Sequence, residues 1–273
     1  MAARRRLDTE LVRRKLAPSR TIAADLIHAG HVRLDGMVVY KPARQVDPAQ
    51  AIVVDERARD DYASRGAYKL AGALDLLGSK GPQIRGQRCL DAGASTGGFT
   101  DVLLRRGARS VVAVDVGYGQ LIWRLQSDPR VQVLDRTNIR YLEPEAVAPL
   151  PSVVVSDLSF ISLTLVLPAL VRCAEANADF LLMVKPQFEV GKGHVGAGGV
   201  VRDVNLHHRA VMGVIHSAAQ AGLELYAVAA SPLPGPAGNV EYFIALKREH
   251  KNPIEDPSKS VWQAIETGPA GTS

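Results

Sequence analysis

Around residue 90 the chain runs from a short apolar stretch straight into a glycine-rich turn and then into an amphipathic run. Leu90-Asp91-Ala92 reads as the end of a buried strand, Gly93-Ala94-Ser95-Thr96-Gly97-Gly98 as the turn, and Phe99 opens the helix. Glycines at such a turn let a ligand approach backbone N–H groups at the start of the helix. The alternation continues. Strands are predicted over 88–92, 110–116, 131–134, 152–156, 180–184, 225–230 and 242–246, and helices over 68–77, 99–106, 121–126, 164–175 and 207–221. Strand–helix alternation argues a mostly parallel α/β sheet with helices on both faces.

The first 55 residues follow a different pattern. Leu7, Leu11 and Leu16 with Arg13, Arg14 and Lys15 fit a short basic amphipathic helix over 7–16, ended by Pro18. Ser19 caps a second helix carried by Ile22, Ala23, Leu26 and Ile27 and closed by Gly30. Asp35-Gly36 between two apolar runs signals a hairpin, and Ile52-Val53-Val54 a third strand. The divisions expected are therefore a small α+β domain over 1–59, a polar linker over 60–66, the α/β body over 67–248 and a loosely ordered tail over 249–273. The tail expectation rests on polarity with Pro253, Pro257 and Gly268.

Charge separates the same parts. The net charge of the 273 residues is +5. Residues 1–44 hold 10 basic and 4 acidic side chains, whereas residues 67–273 hold 20 and 19. A basic module ahead of a nearly neutral body suits a part that grips a polyanion and a part that does something else. Cys89 and Cys173 sit in apolar runs without metal-ligand spacing, so they read as core residues, and no metal is expected. No apolar segment follows the initial arginines closely, and the longest greasy stretch, 158–171, falls short of the roughly 20 residues a bilayer span needs. The expectation is a soluble, cytoplasmic protein.

The glycine turn has a partner. Val111-Val112-Ala113-Val114 ends in Asp115, 22 residues after Gly93, where a carboxylate can accept hydrogen bonds from a ribose diol. Ser95 replaces the middle glycine that two closely approaching phosphates demand, which favours a cofactor without phosphates, such as S-adenosylmethionine. Gly93-Ala94-Ser95-Thr96-Gly97 also fits the G-x-S-x-G nucleophile elbow, but no earlier glycine-rich oxyanion strand precedes it and the later histidines lack triad placement.

Charged residues stand at other strand ends. Asp157 follows the strand over 152–156, Lys185 follows 180–184, and Glu241 precedes 242–246. Ligands in open α/β sheets bind beyond the carboxyl ends of the strands. If the last strand runs antiparallel, Glu241 shares that rim, and Lys69 in the helix over 68–77 can reach over it. Two lysines and two carboxylates around one cleft can hold and move a proton.

These residues together resemble the TlyA family of ribosomal RNA 2′-O-methyltransferases, some of whose members carry the name haemolysin. Arg6-Leu7-Asp8, Ser19-Arg20, 26–32, Asp35-Gly36 and Lys41-Pro42 resemble an S4 RNA-binding domain. Residues 64–70, 91–100, 136–140, 156–162, 184–189 and 238–241 resemble the motifs of an FtsJ-like methyltransferase domain. The resemblance implies a Rossmann-like methyltransferase sheet with an antiparallel last strand behind a small S4 domain. It places the family's catalytic Lys-Asp-Lys-Glu set on Lys69, Asp157, Lys185 and Glu241. It implies S-adenosylmethionine on Gly93, Ser95, Thr96, Gly97, Gly98 and Phe99, its ribose on Asp115 and its adenine near Asp135 and Asn138. Ribosomal RNA is then expected on Arg4, Arg6, Arg20 and Lys41, and on Arg65, Arg136, Arg140 and Lys192 at the active-site mouth. Cytidines of 16S or 23S rRNA are the implied targets. Two rivals stand beside this: a non-catalytic RNA-binding protein that keeps a cofactor pocket, and a membrane-lytic protein.

Overall fold

The structure, a computed structural model, describes residues 4–14, 16, 17, 20–28, 30–54 and 62–271. The chain divides into two compact units, 1–61 and 62–273.

In the first unit, β1 (Arg5–Arg6) pairs antiparallel with β4 (Gln45–Val46). Between them come α1 (Leu7–Arg13), α2 (Arg20–His28), β2 (Val32–Leu34) and β3 (Met37–Val38), and β5 (Ile52–Val54) follows. The order β3-β2-β5 makes a three-stranded antiparallel sheet. Asp35 and Gly36 both have positive φ, as a two-residue hairpin turn of this hand requires. Leu7, Leu11, Ala23, Ile27, Val32, Leu34 and Val54 form one small core. The first helix is shorter than its expected 7–16: after Arg13 the chain folds back, and the amides of Leu16 and Ala17 both donate to the Leu11 carbonyl. Lys15, Pro18 and Ser19, the expected basic, breaking and capping residues, lie outside the described residues, as do residues 55–61.

The second unit is a seven-stranded sheet: β6 (Arg88–Ala92), β7 (Ser110–Val114), β8 (Val131–Leu134), β9 (Val153–Ser156), β10 (Asp179–Val184), β11 (Glu224–Ala230) and β12 (Tyr242–Lys247), in the spatial order β11-β12-β10-β9-β6-β7-β8. β6 to β10 are parallel to their neighbours among themselves, and β12 runs antiparallel to β10 and β11. The central strands β6, β7, β9 and β10 are buried on both faces, as a sheet covered on both sides demands. One face carries α3 (Ala67–Leu77) and α4 (Gly98–Arg105) over Cys89, Val111 and Phe243. The other carries α6 (Leu163–Arg172) and α8 (Val204–Gln220) over Leu90, Val154 and Leu182. Two short helices, α5 (Trp123–Gln126) and α7 (Pro186–Glu189), follow β7 and β10. The chain winds outward from β6 through β7 to β8 and then returns to lay β9 on the other side of β6. The crevice between the ends of β6 and β9 is thus a topological switch point, where such sheets bind ligands.

The C-terminal segment differs from expectation. It is not a loose tail: α9 (Pro257–Thr267) buries Val261, Ala264 and Ile265 in the core beside β11. The Asp256 side chain accepts from the Lys259 amide at 2.9 Å, and Pro257 occupies the first turn, where its missing N–H is harmless. Prolines that looked like breakers therefore start a helix whose apolar residues recur at i, i+3 and i+4. The expected cysteine roles match the structure, since both thiols are free and buried.

Candidate active site

Gly93 sets the geometry at the switch point. Its φ is +90°, and a Cβ there would lie 2.6 Å from the Asp157 carbonyl oxygen. Only glycine lets the β6 turn and the chain leaving β9 come this close. Gly98 serves packing: a Cβ on it would meet Ser64 and stand 2.9 Å from the Ala67 amide, so α3 starts directly against the start of α4. Gly97 is likewise filled in by Leu121 and Leu125.

A cavity of about 490 Å³ opens here, lined among others by Gly93, Ser95, Asp115, Asn138, Asp157 and Ser159. The Asp115 carboxylate is fixed by two backbone donors, Ser95 N–H to Oδ2 at 2.8 Å and Gly117 N–H to Oδ1 at 2.7 Å. A carboxylate oxygen has more than one acceptor position, so each remains able to accept from a diol in the cavity. Thr96, Gly97, Gly98 and Phe99 are not among the lining residues, and Phe99 stacks on Phe243 at 6.1 Å. Asp135 is also outside the lining; it accepts from the Gly119 amide at 2.9 Å and so steadies the turn after β7.

The three charged residues at the strand ends and Lys69 of α3 come together as two ion pairs. Packing of α3 against α4 and against Pro232 (2.5 Å from a Cβ at Gly72) brings Lys69 Nζ to 2.6 Å from Glu241 Oε2. Both side chains are buried, and burial pushes the Glu241 carboxyl above the usual carboxylate range against the pull of Lys69. Lys185 Nζ lies 2.6 Å from Asp157 Oδ1 and donates to Ser159 Oγ at 2.8 Å. Glu241 also feels the charges of Lys185 and Asp157, so the two pairs form one cluster. Burying ions costs several kcal/mol each unless they are paired; here each cation has its anion. A lysine held at a cavity rim between a carboxylate and a hydroxyl is suited to hold a substrate hydroxyl and pass on its proton.

Two features went unpredicted. Ser159 stands two residues past Asp157, and the i, i+2 spacing at a strand end was the available signal. Asp91 is fully buried in β6, accepts from Thr100 Oγ1 at 2.7 Å, and has its carboxyl pushed up to about 7 by burial. Its Oδ1 has no hydrogen-bond partner among the described residues.

Of the basic residues expected on RNA, Arg65, Arg136 and Arg140 are exposed in the second unit, with Arg136 over the Tyr118 ring at 4.2 Å and Arg140 over Tyr141 at 5.7 Å. Lys192 falls in the turn Lys192–His194. Arg4, Arg6, Arg20 and Lys41 are exposed in the first unit. Among the described residues no three His, Cys, Asp or Glu side chains are placed to hold a metal ion, and no helix is long and apolar enough to cross a membrane.

A glycine turn, a fixed carboxylate and a lysine–carboxylate cluster thus stand at one switch point of a doubly wound α/β sheet. Comparison narrows this fold class. Residues 62–248 match the FtsJ-like methyltransferase family and residues 5–52 the S4 domain. The 16S/23S rRNA (cytidine-2'-O)-methyltransferase TlyA of Mycobacterium tuberculosis is 54% identical over 98% of this chain and 100% of its own length. The putative rRNA methyltransferase YqxC of Bacillus subtilis is 37% identical over 96% and 92%. Hemolysin A of Brachyspira hyodysenteriae is 36% identical over 87% and 97%. A solved structure of a putative hemolysin from Streptococcus thermophilus superposes with a TM-score of 0.70 at 34% identity, covering 96% of each chain. The chain belongs to the TlyA group of FtsJ-like methyltransferases, with an S4 domain at its N-terminal end.

Proposed function

We propose that the protein transfers a methyl group from S-adenosylmethionine to the 2′-hydroxyl of a cytidine ribose in 16S or 23S ribosomal RNA, acting in the cytoplasm where ribosomal subunits are found. The observation that carries this reading is Lys185 Nζ, held by Asp157 and Ser159 at the rim of the crevice. A protein that only holds RNA has no use for two lysine–carboxylate pairs, one of them buried on both sides, beside such a cavity.

The residues fit the cofactor. The turn at Gly93 has no room for a side chain, Asp115 is presented for a ribose diol, and Asn138 lines the cavity beside it for the adenine. Asp135 acts on the adenine end indirectly, through Gly119. Bound there, the cofactor supplies an electrophilic methyl group on a sulfonium. Lys185, fixed by Asp157 and Ser159, would hold the 2′-oxygen. Methylation of that oxygen by the cofactor's methyl group would release the hydroxyl proton, which the Lys185–Asp157 pair is placed to accept. Lys69 and Glu241 hold the second side of the cluster and orient the ribose. The target nucleotide leaves its stack to reach the rim, and phosphates are gripped by Arg65, Arg136, Arg140 and Lys192 near the crevice and by Arg4, Arg6, Arg20 and Lys41 on the S4 domain. Phosphate contacts position RNA without reading its sequence, so target choice comes from RNA shape.

The test is transfer of tritiated methyl from S-adenosylmethionine to isolated 30S and 50S subunits. The expected product is rRNA label that survives alkaline hydrolysis as one protected dinucleotide. Label on a base, or none on either subunit, overturns the proposal.

A further inference from the structure

The S4 unit holds a buried carboxylate at the point where its exposed arginines meet. Asp8 lies in the first turn of α1 and is 3% exposed. Arg6, from the end of β1, binds it side-on: Nε to Oδ1 at 3.1 Å and Nη2 to Oδ2 at 2.7 Å. Arg20, from the start of α2, reaches the same Oδ2 through Nη2 at 3.5 Å. The Thr9 amide and hydroxyl hold Oδ1 from the other side at 2.7 and 3.1 Å. The Asp8 amide donates to the Pro42 carbonyl, and the Leu7 amide to that of Arg44, which fixes the segment after Lys41 against the same corner.

Glu10, two residues further on, is also buried and also binds arginines: Arg13 and Arg14 of its own helix, with Arg5 of β1 at 3.9 Å, and Arg5 and Arg13 are each 49% exposed. Arg14 on Glu10 turns inward and uses its remaining donors on the carbonyls of Pro48 (2.7 Å) and Gln50 (2.9 Å). The two arginines on Asp8 come from β1 and α2, stay 45% and 62% exposed, and meet on a single carboxylate oxygen. Their bonds to Asp8 engage Nε and Nη2 of Arg6 and Nη2 of Arg20, and the Nη1 groups of both are not used by it.

We infer that Asp8 is the positioning residue of a phosphodiester clamp, holding Arg6 and Arg20 side by side so that one RNA phosphate is received by both guanidiniums. This deepens the proposed function and rests on it. Both Nη2 atoms bond to one oxygen, so they stand within about 6 Å of each other. Two guanidiniums this close repel, and the carboxylate between them offsets that repulsion before any ligand arrives. A phosphodiester offers two non-bridging oxygens, which two guanidiniums match with charge-assisted bonds. Holding the pair in place beforehand removes the ordering cost from the binding step. The Asp8 carboxyl is held at about 2, chiefly by its hydrogen bonds to Arg6, so it stays an anion throughout the physiological range.

On charge alone, removing an acid from a basic RNA-binding surface should strengthen binding to a polyanion. The clamp requires the opposite. The experiment is filter binding of the full chain to isolated 30S and 50S subunits over a salt series, wild type beside Asp8→Asn, with methyl transfer by the wild type measured on the same subunits. Asp8→Asn keeps an oxygen for the Thr9 amide and loses the charge. The expected result is about tenfold weaker binding and a salt slope shallower by about one, as when a single phosphate is no longer gripped. In an Arg6→Ala/Arg20→Ala background, Asp8→Asn should then have no further effect, because it acts only through those two residues. Thermal melts accompany each variant. If Asp8→Asn does not fold, the two arginine variants carry the test: each single loss should come close to the double loss, and additive losses overturn the clamp. Equal or tighter binding by folded Asp8→Asn, or the same loss without the arginines, also overturns it. Wild type that methylates while Asp8→Asn binds tighter removes the clamp alone; wild type that binds and methylates neither subunit removes the proposed function.

Discussion

Lys69 and Glu241 are 172 residues apart in the chain, and their side chains meet at 2.6 Å in the buried part of the second unit. One comes from the first helix of that unit and the other from the residue before its last-but-one element, so this contact closes the unit on itself. It joins the stability of the fold to the site.

Breaking that pair from one side leaves a charge in a place built for two. Lys69→Met strands the Glu241 carboxylate and should destabilise the protein by about 3–5 kcal/mol, the usual cost of an orphaned buried ion. The double variant Lys69→Met/Glu241→Gln should recover most of that loss in urea melts. It should recover none of the methyl transfer. Equal melting of the single and double variants would count against the ion pair's role.

Asp91 gives a pH signature. Its carboxyl is pushed up to about 7 by burial, against about 3.9 in the unfolded chain. The folded state therefore binds more protons between those values, and stability falls as pH rises through that window. Asp91→Asn removes this dependence. Relative to wild type, the variant should gain on the order of 2 kcal/mol between pH 5 and pH 8, read from denaturant midpoints at each pH. Parallel pH profiles for the two proteins would contradict it.

Two glycine variants should separate binding from chemistry. Gly93→Ala places a Cβ 2.6 Å from the Asp157 carbonyl in a residue with φ of +90°, so calorimetric binding of S-adenosylmethionine should be lost. Gly235→Ala places a Cβ 2.9 Å from Glu241 Oε1 and displaces that carboxylate without touching the cavity lining. Cofactor affinity should hold while transfer slows about tenfold or more, equivalent to about 1.4 kcal/mol of barrier. Loss of both properties in Gly235→Ala would show that the cluster and the cavity do not separate.

The C-terminal helix should prove necessary for folding. Removing residues 257–273 takes away Val261, Ala264 and Ile265, each at most 5% exposed. The valine and isoleucine alone are worth about 1.5–3 kcal/mol each, a large part of an ordinary domain's stability. The truncated protein should melt well below the full chain or fail to stay in solution. An unchanged melting temperature would mean the helix is dispensable.

Much of this architecture is legible in the amino-acid sequence. The parallel strands are readable because runs such as Val111 to Val114 are apolar at every position, which a strand buried on both faces requires. Lys69, Asp157, Lys185 and Glu241 are readable because charge at the end of an apolar strand, or opposite it, is conspicuous. What stays hidden depends on partners distant in sequence. That Gly97 and Gly98 serve helix packing is decided by Leu121, Leu125, Ser64 and Ala67. Asp135 reaches Gly119 rather than the cavity because the turn after β7 folds back over it. The final helix is masked by its own start signal, since Pro257 reads as a breaker until its position in the first turn is known.

Lys185, between Asp157 and Ser159, is assigned to the hydroxyl proton and to no part of cofactor binding. Lys185→Ala tests that assignment most directly, with S-adenosylmethionine binding measured by calorimetry and single-turnover methyl transfer measured on ribosomal subunits. Cofactor affinity should stay close to wild type while transfer slows by about 10²–10⁴-fold, the range a positioned acid–base group contributes. Transfer at the wild-type rate, with the same ribose labelled, would contradict it.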